Sequence, residues 1–365
     1  MGKSLKRLGI SLYPGRTTFE KDRAYLETAA KYGFSRVFTC FISLNEQDGA
    51  KREQLKQTIA YAKQLGMEVY IDVNPRVFSN LGVRADDLSL FHDWGVAGIR
   101  LDLGFSGQEE AMMTYNPYGI KIEINMSQGT RSIDQILSYQ PNKEQLTGCH
   151  NFYPHRYTGL SYDHFARTSS AFKALGIQTA AFVSSQSATL GPREIAEGLC
   201  TLEMHRELPI EIQAKHFFMT GWIDDVIIGN AYASEEELKK LSQITPEIPA
   251  FTVNMSEDAT PLEKKIVFEE SHVYRGDVSE YMIRSTGSRV KYKQASFPPH
   301  NTQEIRRGDV LIDNDHYGQY KGELQIALKP MKNDGRTNVV GRIEEQELFL
   351  LDYLKPWSPF RFERS

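Results

Sequence analysis

Four polar residues alternate with aliphatic ones in two short runs. Arg100 and Asp102 lie in Gly98-Ile-Arg-Leu-Asp-Leu-Gly104, and Glu123 and Asn125 in Lys121-Ile-Glu-Ile-Asn125. A β-strand turns successive side chains to opposite faces, so each polar pair shares one face and the isoleucines and leucines share the other. Strands buried on both sides usually read as continuous aliphatic runs, and a charge on an inner face needs a partner or a purpose. One purpose for paired carboxylates is glycoside hydrolysis. One protonates the leaving oxygen, and the other attacks the anomeric carbon or activates water. Neighbouring strands lie about 4.8 Å apart. Asp102 and Glu123 at one level would therefore approach the roughly 5–5.5 Å of a retaining pair, whereas Asp72 with Glu123 would be wider and suit inversion. The plainer alternative is that Arg100 neutralises Asp102 or Glu123 in a structural ion pair. Three inner-face carboxylates on consecutive strands are costly to keep for structure alone.

The elements that must position these residues alternate regularly. Arg7–Pro14 is a first strand, and Thr17-Thr-Phe-Glu20 reads as a capping box opening a helix that ends at Gly33. Strands follow at Phe34–Phe41 and Glu68–Val73, with a helix between them marked by Leu55, Ile59, Ala62 and Leu65. A helix over about Arg84–Trp94 leads into the two polar-striped strands, and Ile133, Ile136 and Leu137 mark the next helix. Leu146–Phe152, Ile177–Ser184 and Asp224–Asn230 complete eight strands. The helices among them start at Ser161, near Arg193–His205, at Ile210–Thr220 and at the capping box Ser234–Glu237. Eight strands alternating with helices in this length predict an α/β fold of the (β/α)8 TIM-barrel kind over residues 1–245.

Beyond Pro246-Glu-Ile-Pro249 helical periodicity nearly vanishes. Short β-type runs take over: Val278–Arg284, Val290–Tyr292, Val310–Asp313, Leu324–Leu328, Val339–Ile343 and Glu347–Leu351. Residues 246–365 are therefore expected to form a smaller, all-β domain. Ligand sites favour domain interfaces, so this domain is expected to pack near the open end of a barrel, with the turn Asn314-Asp-His-Tyr317 covering a sugar.

Barrel enzymes place their chemistry at the carboxyl ends of the strands. The polar residues there are Tyr13 and Arg16, Asp72 and Asn74, Arg100, Asp102, Glu123 and Asn125, His150, Asn151 and Arg156, Ser184, and Asn230. Arg16, Arg100 and Arg156 could each clamp a phosphate or carboxylate bidentately. His150 could polarise a substrate oxygen or simply be a satisfied hydrogen-bond partner. Ser184 and Gly229-Asn230 follow strands seven and eight, where barrels often bind phosphate on backbone amides. No lysine ends a strand, which argues against a Schiff-base aldolase. No compact metal motif appears, although Asp72, Asp102, Glu123 and His150 could assemble a divalent-ion site from separate strands.

Composition excludes several classes. The chain has 365 residues, with 43 basic against 47 acidic side chains, so nothing favours nucleic acid. Cys40, Cys149 and Cys200 are odd in number, far apart and without metal-ligand spacing, as expected of reduced thiols in the cytoplasm. No apolar run is long enough to span a bilayer. Met1-Gly-Lys-Ser-Leu-Lys6 lacks the apolar core of a secretion signal, and Lys6 stands where a myristoylation signal has Ser or Thr. A cytoplasmic protein is expected.

Five strings carry a resemblance: Tyr13-Pro-Gly-Arg16, Asp72-Val-Asn-Pro75, Arg100-Leu-Asp-Leu-Gly104, Glu123-Ile-Asn-Met-Ser127 and the long His150-Asn-Phe-Tyr-Pro-His-Arg-Tyr-Thr-Gly-Leu-Ser161. With these the chain resembles a bacterial family, once a domain of unknown function, similar to intracellular 6-phospho-N-acetylmuramidases. The resemblance implies a TIM barrel followed by a cyclophilin-like β domain. It also implies hydrolysis of the disaccharide N-acetylmuramic acid 6-phosphate–N-acetylglucosamine during cell-wall recycling, without a cofactor. Strand position, not the resemblance, makes Asp102 and Glu123 the leading catalytic carboxylates, with Asp72 third. Arg16, Asn74, Asn125, Asn151 and Arg156 would hold the sugar, its phosphate and the lactyl carboxylate. The alternatives are a metal-dependent sugar-phosphate isomerase or epimerase, and a non-catalytic sugar-phosphate sensor. The oligomeric state stays open, a homodimer included.

Overall fold

The computed structural model describes residues 6–40 and 49–365. The expectations for Met1–Leu5 and for Phe41 lie outside the described residues. Contacts divide the chain into two compact units, residues 1–243 and 244–365. Among the described residues no helix is long and apolar enough to cross a membrane.

In the first unit eight parallel strands close into a barrel, each pairing with the next and the eighth with the first. They are β1 (Arg7–Leu12), β2 (Arg36–Cys40), β3 (Glu68–Val73), β4 (Gly98–Leu101), β5 (Lys121–Asn125), β6 (Leu146–Cys149), β7 (Gln178–Val183) and β8 (Asp225–Ile228). Their aliphatic residues build the core: Ile10, Leu12, Ile71, Ile99, Ile122, Ala181 and Ile227 have no exposed surface. Helix ends follow local chemistry. Ser161 and Ser234 each accept a bond from the backbone three residues on, and Glu237 returns the bond to Ser234. The box expected at Thr17 does not form: Thr18 precedes the helix Phe19–Lys31 and its side chain makes no cap bond.

Two helices were misplaced by periodicity. The one expected near Arg84–Trp94 is only the short helix Ser89–Asp93, and a separate helix, Pro75–Leu81, precedes it, capped by Asn74 through its bond from Val77 N and ended by Gly82 at a φ of 66°. Of the one expected near Arg193–His205 only the 3-10 turn Glu203–His205 exists. The rest of that segment is loop, and it matters below.

The register along the barrel wall decides the site. Asp72 pairs with Arg100, Arg100 with Glu123, and Glu123 with Thr147. Glu123 thus stands opposite Arg100, not Asp102. At about 3.3 Å per residue, Asp102 lies about 6.6 Å further towards the carboxyl end than the sequence reading supposed for its partner.

The second unit is a seven-stranded mixed sheet. It comprises β9 (Ala250–Met255), β10 (His272–Val273), β11 (Met282–Ser285), β12 (Asp309–Asp313), β13 (Leu324–Ala327), β14 (Thr337–Ile343) and β15 (Pro359–Arg364), in the order β10-β15-β9-β14-β12-β13-β11. Strands β15 and β9 run parallel, which requires the long excursion of chain between them. The unit is not all-β. Thr260 and Glu263 form a capping box for the helix Pro261–Glu269, and the runs expected as strands at Val290–Tyr292 and Glu347–Leu351 lie in helical turns, Gly287–Lys291 and Glu345–Tyr353. Short apolar runs do not distinguish strand from helix by periodicity.

Candidate active site

Two groups of charges sit inside the barrel, one above the other. The lower one joins the amino ends of β1, β2 and β8 to β5. Arg36 donates to Asp225 at 2.7 Å and to Glu123 at 2.5 Å, while Arg7 reaches the same Asp225 at 2.7 Å. Tyr70 stacks on Arg36, its ring centre 3.9 Å from the guanidinium carbon. Glu123 has no exposed side-chain surface. Burial would raise the Asp225 carboxyl, but the two arginines outweigh it and hold it below the usual carboxylate range. The carboxylate expected to pair with Asp102 is therefore engaged through Oε2 in a buried ion-pair cluster, which Arg7 extends to the half-exposed Glu68.

The upper group is open. Arg100, at the third position of β4, is buried and donates through Nη1 to Asp72 Oδ1 at 2.7 Å and to Asp102 Oδ1 at 3.5 Å. Its other nitrogen donates to Asn151 Oδ1. Asp72 ends the inner row of β3, with its side chain 10% exposed; Asp102 follows β4 and is 37% exposed. Burial, partly offset by Arg100 and reinforced by the Asp102 charge, pushes the Asp72 carboxyl up to about 6. Both carboxylates face a cavity of about 290 Å³, together with Arg100, Asn151, Cys40 and Arg193. Phe152 and Phe182 line it as well, set edge-on to each other with ring centres 5.0 Å apart. A wider, shallower depression of about 510 Å³ shares Pro154, Pro192 and Arg193 with it and adds Arg16, His155 and Glu194.

The remaining expected residues divide between support and surface. Asn125 donates to the backbone oxygen of Asp102 at 3.1 Å, and Asn74 serves as the helix cap described above. His150 is fully buried, its Nδ1 3.1 Å from Ser127 Oγ and its Nε2 2.8 Å from Ser169 Oγ, and burial lowers it to about 3. It is a neutral, satisfied ring that fixes Ser127, whose hydroxyl accepts from Asn151 N at 2.7 Å. Tyr13 is buried and donates to Gly229 O. Ser184 accepts from Leu199 N, and Asn230 braces Ser185 and Ala188 from both ends of its amide. These three hold the loops after β7 and β8 and offer nothing to a ligand in this arrangement. Arg156 points at Glu207, 2.5 Å away, and lies outside both cavities.

Two residues escaped the sequence reading. Arg193 was assigned to a helix, although Gly191-Pro192 before it is a loop signal. Arg36 is a charge at the start of an otherwise apolar strand, and its partners Glu123 and Asp225 are remote in sequence. Among the described residues no cluster of three or more His, Cys, Asp or Glu side chains is arranged to hold a metal ion.

Two family models then match almost the whole length: 6-phospho-N-acetylmuramidase, N-terminal, over residues 8–243, and its C-terminal counterpart over residues 249–363. The chain belongs to the 6-phospho-N-acetylmuramidase family. It is a glycosidase by that membership, and paired carboxylates at the mouth of the barrel are what such chemistry requires. Among solved structures, an uncharacterized B. cereus protein is 52% identical, with a TM-score of 0.92 over 98% of this chain and 99% of that one. A conserved protein of unknown function from Enterococcus faecalis is 26% identical, with a TM-score of 0.74 over 98% and 96%. Comparison with curated proteins returns no match.

Proposed function

We propose that this chain cleaves the glycosidic bond of N-acetylmuramic acid 6-phosphate–N-acetylglucosamine, with Asp72 and Asp102 as the working carboxylates. One observation carries the reading: both reach the same arginine nitrogen on the wall of a cavity that also offers aromatic surface. Oxygens held at 2.7 and 3.5 Å from one atom lie within about 6 Å of each other. That upper bound falls short of the roughly 6.5–9.5 Å that leaves room for a water, so the reading favours retention. Asp72, pushed up to about 6, is suited to protonate the leaving oxygen, and the more exposed Asp102 to attack the anomeric carbon. Water, deprotonated by Asp72, would then release the glycosyl group from Asp102.

Arg193, on the shared rim of the two cavities, is the residue best placed for the 6-phosphate, supported by Arg16 and His155. Phosphorylated sugars are made and kept inside cells, so the reaction fits a cytoplasmic step of cell-wall recycling. The test is incubation of purified protein with the phosphorylated and unphosphorylated disaccharides, products followed by mass spectrometry and the anomeric configuration by NMR. Release of N-acetylglucosamine from the phosphorylated substrate with initial retention supports the proposal. Cleavage of neither disaccharide rejects the substrate, and initial inversion rejects the Asp102 nucleophile.

A further inference from the structure

The second unit contains a cavity that the barrel reaction does not use. It measures about 500 Å³ and is lined by that unit alone. Such a volume falls within the range of small-molecule sites. At its wall stands Asp313, the last residue of β12 and 2% exposed. Its two oxygens accept from neutral groups, Thr337 Oγ1 at 2.9 Å and Gln325 Nε2 at 2.9 Å. The nearby cation Arg284 donates instead to Glu323, at 2.6 Å, and Arg289 holds the other oxygen of Glu323 at 2.8 Å. Burial, with the charge of Glu323 adding to it, pushes the Asp313 carboxyl up to about 7. Each oxygen keeps acceptor capacity beyond its one bond, so a donor that enters the cavity has a partner there.

The rest of the wall narrows the chemistry of that donor. Met282 and Met331 give an apolar side, and Tyr317 and Tyr320 sit at the rim with ring centres 5.7 Å apart. The charges that line it offset one another, Arg284 and Lys332 against Asp313 and Asp334, so the cavity shows little net charge. Lys332 also lines the cavity, but a phosphate or a carboxylate seated against the inner wall would meet Asp313, with Arg284 already engaged by Glu323. A sugar chair with hydroxyls on its edge and C–H groups on its faces meets both the acceptor carboxylate and the ring face of Tyr317 or Tyr320 that Arg336 or Arg289 leaves uncovered. We infer that the second unit carries its own binding site for a neutral sugar ring, centred on Asp313, Gln325 and Tyr317. This site is independent of the reaction proposed for the barrel.

Met282 and Met331 make the test site-specific. The full chain, labelled at its methionine methyl groups, is titrated with N-acetylglucosamine and with its β-1,4-linked dimer, and the two signals are assigned with Met282→Leu and Met331→Leu. The expected result is a saturable shift of both methyl signals. Tyr317→Ala and Asp313→Asn should each weaken it at least about tenfold, as loss of a ring contact or of a charged acceptor does. Tyr317 is partly exposed at the rim, so its truncation keeps the test available if the Asp313 variant misfolds. No saturable shift with either sugar, or shifts unchanged in both variants, overturns the assignment. A stronger response to glucose 6-phosphate than to the neutral sugars overturns its neutral-ligand part.

Discussion

The lower and upper charge groups of the barrel use the same residue types and reach opposite outcomes. Below, Arg7 and Arg36 meet Asp225 and Glu123 out of reach of the cavity, and Arg7 also reaches the half-exposed Glu68 at 2.6 Å. Above, Arg100 alone meets Asp72 and Asp102, and one carboxylate is left in excess beside a cavity. A buried ion pair that balances is at best neutral for stability, but removing one member is strongly destabilising. An unbalanced pair open to solvent keeps a reactive group available and tunes its neighbour, as Asp102 does for Asp72. Access to the cavity, not the mere presence of inner-face acids, separates the structural layer from the chemical one.

The sharpest way to break this comparison is to neutralise each layer in turn. Asp102→Asn and Asp72→Asn should each lower kcat by about 10³-fold or more with the fold intact, because a positioned carboxylate supplies several kcal/mol at the transition state. Wild-type turnover in either variant would remove that residue from the mechanism. Glu123→Gln should instead lower stability by about 3 kcal/mol, since Arg36 loses one of two buried partners. Denaturant unfolding measures that loss. A stable Glu123→Gln protein with kcat down by about 10³-fold would reverse the two layers.

The sequence revealed the barrel because its evidence is local: aliphatic runs, capping serines and glycines at helix ends lie within a few residues of what they specify. Glu68–Val73 coincides with the observed strand β3 end to end. Register is not local. Nothing in Gly98–Gly104 or Lys121–Asn125 says that Glu123 pairs with Arg100, and a shift of two residues preserves the face while moving a side chain to another layer. Arg36 was invisible as a partner for the same reason, since its contacts come from β5 and β8. The second unit was harder still. Its parallel pair β9 and β15 joins the two ends of the unit, and Pro359–Arg364 carries no turn or caps that would mark it. The helix Pro261–Glu269, by contrast, announced itself through Thr260 and Glu263 and was overlooked.

A smaller effect compares two arginines near the cavity mouth. Arg193 lines both cavities, while Arg156 is held by Glu207 on the surface. Arg193→Met should cut kcat/KM on the phosphorylated disaccharide by about 10- to 100-fold, the weight of one charge-assisted contact, and spare activity on the unphosphorylated one. Arg156→Met should leave both within about threefold, as expected of an exposed ion pair. The opposite ranking would move the phosphate to Arg156. Equal losses on both substrates for Arg193→Met would assign it to the sugar rather than its phosphate.

The mildest perturbation is pH, and it tests the upper layer without changing a residue. A general acid must carry its proton, so with Asp72 at about 6 the proposed mechanism predicts kcat/KM falling about tenfold per pH unit above that value. Stability should show the same group with a definite sign. An unfolded aspartate titrates near 3.9, so between about 4 and 6 the folded state binds the more protons. The stability Asp72 contributes is then fully present below the unfolded value and is lost as pH rises through the folded one. Asp72→Asn removes that slope, and the variant should gain stability relative to wild type as pH rises from 4 to 7, when unfolding is followed at each pH. Parallel stability curves for the two proteins would mean that Arg100 compensates Asp72 fully, as Arg7 and Arg36 do for Asp225.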